Sequence, residues 1–69
     1  MVDFKVLDLE LHGMALRDLR LPDDVIIISV KRRGQILISH GYTRLRIGDI
    51  VTMVGSLESL EHLSLQFQE

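Results

Sequence analysis

Cysteine and tryptophan are both missing from this 69-residue chain. Without cysteine there can be no disulfide framework, thiolate zinc site or thiol nucleophile. Aromatic side chains are scarce, with one Tyr and two Phe, although 46% of the residues are hydrophobic. Any core must therefore be aliphatic. Long apolar runs are missing too: the longest is Val25 to Ile28, far short of the ~20 residues that span a bilayer. Met1-Val2-Asp3-Phe4-Lys5 lacks the layout of a signal peptide. These absences point to a cytoplasmic protein. There is no excess of positive charge, since the formal net charge is −2. That balance argues against a general nucleic-acid binder.

The sequence also lacks the marks of catalysis. It has no nucleophile motif, spaced carboxylate pair or glycine-rich phosphate loop, and Gly13-Met14 is not followed by Gly-Lys-Ser/Thr. His12, His40 and His62 fall in different segments without His-x-x-x-His spacing. Neither an enzyme nor a metal centre is expected.

What is present is a series of short periodic segments. Val2, Phe4 and Val6 alternate with Asp3 and Lys5, after which the phase shifts to Leu7, Leu9 and Leu11. This predicts a strand over 2–10 with a bulge near Val6–Leu7. Gly13 opens a short helical stretch carrying Leu16 and Leu19, which Pro22 ends. Val25 to Lys31 and Gln35 to Ser39 read as two strands joined at Arg33-Gly34, a β-hairpin. Gly41-Tyr42-Thr43 is a loop, and Gly48-Asp49 a turn in which Asp49 accepts backbone N–H bonds. Ile50 to Val54 is the last strand. A closing helix starts at Ser56, its N-cap, with Glu58 in the first turn and an apolar stripe of Leu57, Leu60, Leu63 and Phe67.

The expected fold is α+β. It is a single domain over 1–69, built on a small, mostly antiparallel sheet of about four strands with two short helices, in β-α-β-β-β-α order. In the hairpin, Ile26, Ile28, Val30 and Leu37 share one face, and Ile27, Ile36 and Ile38 share the other. A sheet wet on one side should alternate more cleanly. Two short helices can cover one face, and a second copy of the chain is the simplest cover for the other. Charge is segregated as well. Lys31, Arg32, Arg33, Arg44 and Arg46 lie between positions 31 and 46 with no acidic residue among them. A solvated basic face explains this, and so does a local anion site.

Several segments in order carry a resemblance to a known family. They are Gly13-Met14-Ala15-Leu16-Arg17-Asp18-Leu19, Leu21-Pro22, Val25 to Gly34, Ile36-Leu37-Ile38, Gly41-Tyr42-Thr43-Arg44-Leu45, Ile47-Gly48-Asp49 and Gly55. Their order and spacing resemble the TrkA C-terminal domain, the C-terminal lobe of domains regulating potassium conductance. The resemblance implies a non-enzymatic, homodimeric regulatory module of a potassium or other cation transporter or channel. Its partners would be the transporter or channel subunit, or the rest of a parent chain, placing it at the inner face of the membrane. Some members bind cyclic di-AMP between paired copies through an Asp-x-Arg segment, which Asp18-Leu19-Arg20 resembles. Asp23-Asp24 stand where an asparagine is expected, and Ser39-His40 where a proline is usual. No obligatory cofactor is expected; a nucleotide effector is the ligand class implied.

The expected ligand site is an anion site of Arg20, Arg32, Arg33 and His40 at a dimer seam. Arginine suits this role because its planar fork makes two parallel bonds to phosphate. The bland alternative is that Arg17 and Arg20 pair with Asp18, Asp23 or Asp24. A second family is also similar in part. Gly34-Gln35-Ile36-Leu37-Ile38 and Gly48-Asp49-Ile50-Val51 resemble the AbrB/MazE swapped-hairpin DNA binders, though the interval between them is too short for the helix those proteins carry there.

Overall fold

A computed structural model describes residues 1–67 of the chain. Four strands, β1 (Val2–Lys5), β2 (Ile26–Arg32), β3 (Gln35–Ile38) and β4 (Ile50–Val54), form one sheet in the order β1-β4-β2-β3. Every neighbouring pair is antiparallel. One α-helix, α1 (Leu57–Phe67), follows β4. The side chain of Phe67, counted in the expected helical stripe, lies outside the described residues.

The β2–β3 hairpin closes as its sequence predicts, with Arg32 opposite Gln35 and a two-residue turn between them. Arg33 and Gly34 hold φ of 51° and 79°. Two successive positive φ values match the twist of the strands they join, as in a type I′ turn. The closing helix also starts as expected: Ser56 Oγ accepts the Ser59 N–H at 3.2 Å, which satisfies one of the free donors at the helix start.

Three expectations change. The first strand ends at Lys5, and Leu9–Leu11 forms a single 3₁₀ turn. Val6 remains fully buried while Leu7 and Leu9 are exposed. The first helix is likewise one 3₁₀ turn, Leu16–Asp18. Its flanking backbone is committed to another partner. Gly13 N–H donates to Leu45 O, Leu45 N–H to Met14 O, Leu16 N–H to Thr43 O and Arg17 N–H to Gly41 O, at 2.7–3.0 Å. A segment whose N–H groups pair across the chain cannot propagate an α-helix.

The third change concerns the hairpin faces. Against β4, Ile27 pairs with Met53 but Ser29 with Thr52, so Ile28 is an extra residue in a bulge. A bulge resets the two-residue alternation. Ile27, Val30 and Leu37 consequently pack on the core, whereas Ile26 and Ile28 do not. The core joins Phe4, Val6, Val30, Val51 and Met53 of the sheet side to Leu16, Leu45, Leu60 and Leu63. The opposite face stays open, with Ile26, Ile36, Ile38 and Val54 between 40% and 88% exposed. The hairpin pairs within its own chain, and β4 lies between β1 and β2. Among the described residues no helix is long and apolar enough to cross a membrane.

Candidate functional site

The basic segment folds around one buried carboxylate. Asp49 sits in the turn before β4 and is 1% exposed. Arg32, at the end of β2, donates from Nε to Asp49 Oδ1 at 2.9 Å and from Nη2 to Asp49 Oδ2 at 2.8 Å. The Arg46 N–H donates to Oδ2 at 2.9 Å, the turn role expected of Asp49. Arg32 Nη2 also reaches the Arg44 carbonyl at 2.8 Å. Burial pushes the Asp49 carboxyl upward. The bonds from Arg32 and Arg46 and the charges of both arginines outweigh that burial, and its pKa lies below the ordinary aspartate value. The hydrogen bonds to Asp49, with its charge, raise Arg32 against the opposing effect of burial.

The four expected anion ligands do not converge within one chain. Arg32 and Arg33 line a depression of about 260 Å³ together with Arg46, Ile47, Gly48 and Asp49. Arg20 lines a second, of about 280 Å³, among Asp8, Glu10, Leu11, Met14, Asp18 and Leu19. Its three carboxylates oppose an anion there. His40 lines a third, of about 210 Å³, with Leu16, Arg17, Leu21, Ile27, Ser39 and Gly41. Its lining mixes the apolar Leu16, Leu21 and Ile27 with the polar Arg17, Ser39 and His40. His40 Nδ1 accepts the Tyr42 N–H at 3.1 Å, and Arg17 lies over the Tyr42 ring, 4.6 Å from its centre. Arg17 also approaches Asp18 at 4.0 Å, an exposed pair of small energetic weight.

Arg46 belongs to the basic segment read from the sequence but not to the four expected ligands. The available signal was its place three residues before Asp49, which puts it in the turn facing the hairpin tip. Arg44, by contrast, is used in the fold: its Nη1 donates to Gly13 O at 2.8 Å. No group of three or more metal-ligating side chains occurs among the described residues.

Comparison with known proteins adds a separate line of evidence. The TrkA-C domain family matches residues 1–68. The Trk system potassium uptake protein TrkA homolog of Archaeoglobus fulgidus is 41% identical over 64 residues, covering 91% of this chain and 15% of that protein. A Trk system potassium uptake protein homolog of Methanosarcina mazei is 38% identical over 58 residues, 84% of this chain and 14% of that one. The K(+)/H(+) antiporter NhaP2 of Shewanella baltica is 40% identical over 57 residues, 83% of this chain and 10% of the antiporter. The chain thus spans a small fraction of the relatives it matches. A solved RCK domain with cda superposes with a TM-score of 0.89 at 24% identity, covering 96% of this chain and 94% of that one.

Proposed function

The chain belongs to the TrkA-C domain family, and from that premise we propose that it is a non-catalytic regulatory module of a cation-transport system that works as a pair of identical copies. The supporting observation is the open face of the sheet. Ile26 and Val54 pair across β2 and β4, and Ile36 and Ile38 stand on β3, all exposed on the side away from the core. The register sets these aliphatic side chains among Ser29, Lys31 and Thr52 on the same face, and on so small a chain exposed aliphatic surface of this kind favours a cover. An identical face meeting itself about a two-fold axis is the simplest one. Relatives in potassium uptake and K(+)/H(+) antiport support a transport partner, which would place the module at the cytoplasmic face of a membrane.

Regulation in such a pair requires a ligand that binds one arrangement of the two copies better than another. The depression beside His40, lined by Leu16, Leu21 and Ile27 as well as Arg17 and Ser39, offers apolar and polar contacts together, a mixture that a base and its phosphate would use. A nucleotide such as cyclic di-AMP is the first effector to test. The pairing itself is tested by sedimentation velocity on the 69-residue chain and on an Ile36→Gln/Ile38→Gln double variant. The expected result is a dimer that becomes a folded monomer in the variant. A native chain that stays monomeric at every concentration overturns the reading.

A further inference from the structure

We propose that the cleft between the hairpin tip and the turn before β4 is a phosphate-binding site. Three guanidinium groups, of Arg32, Arg33 and Arg46, line it, and its single acidic group is Asp49. The Asp49 carboxylate is already satisfied, by Arg32 and by the Arg46 backbone. It offsets one of the three positive charges, leaving two in excess. The side chains of Arg33 and Arg46 have no hydrogen-bond or ion-pair partner among the described residues. The cleft, at about 260 Å³, has room for a phosphoryl group with several waters, given roughly 30 Å³ per water.

A second, independent observation concerns Arg33. It is the only non-glycine residue with positive φ among those described. Both central positions of this turn type favour Asn, Asp or Gly. An arginine held there sits against its backbone preference, a kind of strain that clusters at functional sites. Arg33 and Arg46, on separate loops, flank Arg32, which Asp49 fixes in place, and their guanidinium groups are left to donate paired hydrogen bonds to phosphate oxygens. The site involves none of the exposed apolar face, so it does not depend on pairing of the chains.

The phosphate has two natural sources, a soluble phosphoester or an anionic lipid headgroup. Inorganic pyrophosphate, titrated at constant ionic strength and followed by amide NMR shifts, tests the first. Flotation with vesicles of phosphatidylcholine containing phosphatidic acid tests the second. The expected result is saturable binding of one of these, with shifts centred on residues 32–34 and 46–49. Arg33→Asn keeps the turn, and Arg46→Ala removes the facing charge. Each should weaken binding by about tenfold, the loss of one charge-assisted hydrogen-bond pair. Arg20→Ala and the Ile36→Gln/Ile38→Gln double variant should leave it unchanged. Binding to neither probe, or binding indifferent to Arg33→Asn and Arg46→Ala, overturns the proposal. Loss of dimer with retained binding would separate it from the pairing reading.

Discussion

Arg32 and Asp49, seventeen residues apart, are joined by two parallel hydrogen bonds of 2.8 and 2.9 Å. The pair ties the end of β2 to the start of β4, with the Asp49 side chain 2% exposed and the Arg32 side chain 24%. Breaking one side of such a pair strands the other charge away from water. Arg32→Ala should therefore cost about 3–5 kcal/mol, a large share of the roughly 3–10 kcal/mol expected for a domain of this length. Arg32→Lys should lose most of the same stability, because an ammonium cannot reproduce the fork. An Arg32→Met/Asp49→Leu double variant should recover much of it. Urea denaturation of the three variants decides this, and an Arg32→Ala chain as stable as the native one would remove the pair from the list of stabilising contacts.

The same contact sets a pH dependence. The pKa of Asp49 is held below its unfolded value, so folding favours the ionised form. Its contribution is complete above the ordinary aspartate value of about 4 and is lost as pH falls through the lower folded value. Asp24, whose carboxyl is lowered by the Ser56 and Ser59 hydroxyls and the Ser56 N–H, acts in the same direction. Stability measured from pH 6 downward should be level and then fall steeply below about pH 4. In Asp49→Asn that acid slope should be shallower. An unchanged slope would mean that other carboxylates dominate acid unfolding.

At the hairpin tip, binding and stability pull apart. Arg33 sits at φ 51°, where a residue with a branched-off Cβ costs roughly 1–2 kcal/mol and Asn or Gly much less. Arg33→Asn should raise stability by about 0.5–1 kcal/mol, or several degrees in Tm for a chain of this size. A gain in stability together with a loss of phosphate binding is the signature expected of a strained functional residue. A loss of stability would show that the guanidinium makes a structural contact of its own.

The extent to which the sequence revealed this fold follows the range of the interactions involved. Local signals were legible: the alternation of Val2, Phe4 and Val6, the Arg33-Gly34 turn, and the Ser56 cap all act within a few residues. The bulge at Ile28 was not legible, because Ile26, Ile27 and Ile28 are chemically identical and no pattern shows which is the extra one. Yet that one residue decides that Ile27 faces the core and Ile26 does not. The helical spacing of Leu16 and Leu19 misled because the competing partners, Gly41 to Leu45, are distant in the chain, as in the pairs Arg17–Gly41 and Gly13–Leu45. The site shows the same division. A basic cluster was visible, but not that Asp49 would engage the Arg32 side chain and only the backbone N–H of Arg46.

The junction before α1 tests how closely β2 and the helix are packed. Gly55 has no room for a side chain. A Cβ there would lie 2.8 Å from Val25 Cγ2 and 3.0 Å from the Asp24 carbonyl oxygen. The first contact could relax, but the second is backbone, and the Asp24 side chain also holds the helix start through Ser56 N–H at 3.3 Å and Ser59 Oγ at 2.8 Å. Moving Asp24 to accommodate a methyl group would loosen both of those bonds. Gly55→Ala should therefore cost about 1–3 kcal/mol, the range for overpacking, even though alanine is the better residue next to a helix. Ser56→Ala should cost about 1 kcal/mol through the lost cap. Because both changes act on one contact network, their double variant should lose less than the sum of the two. Equal additivity in thermal and urea unfolding would show that the glycine and the cap stabilise the helix start independently, and that Asp24 does not couple them.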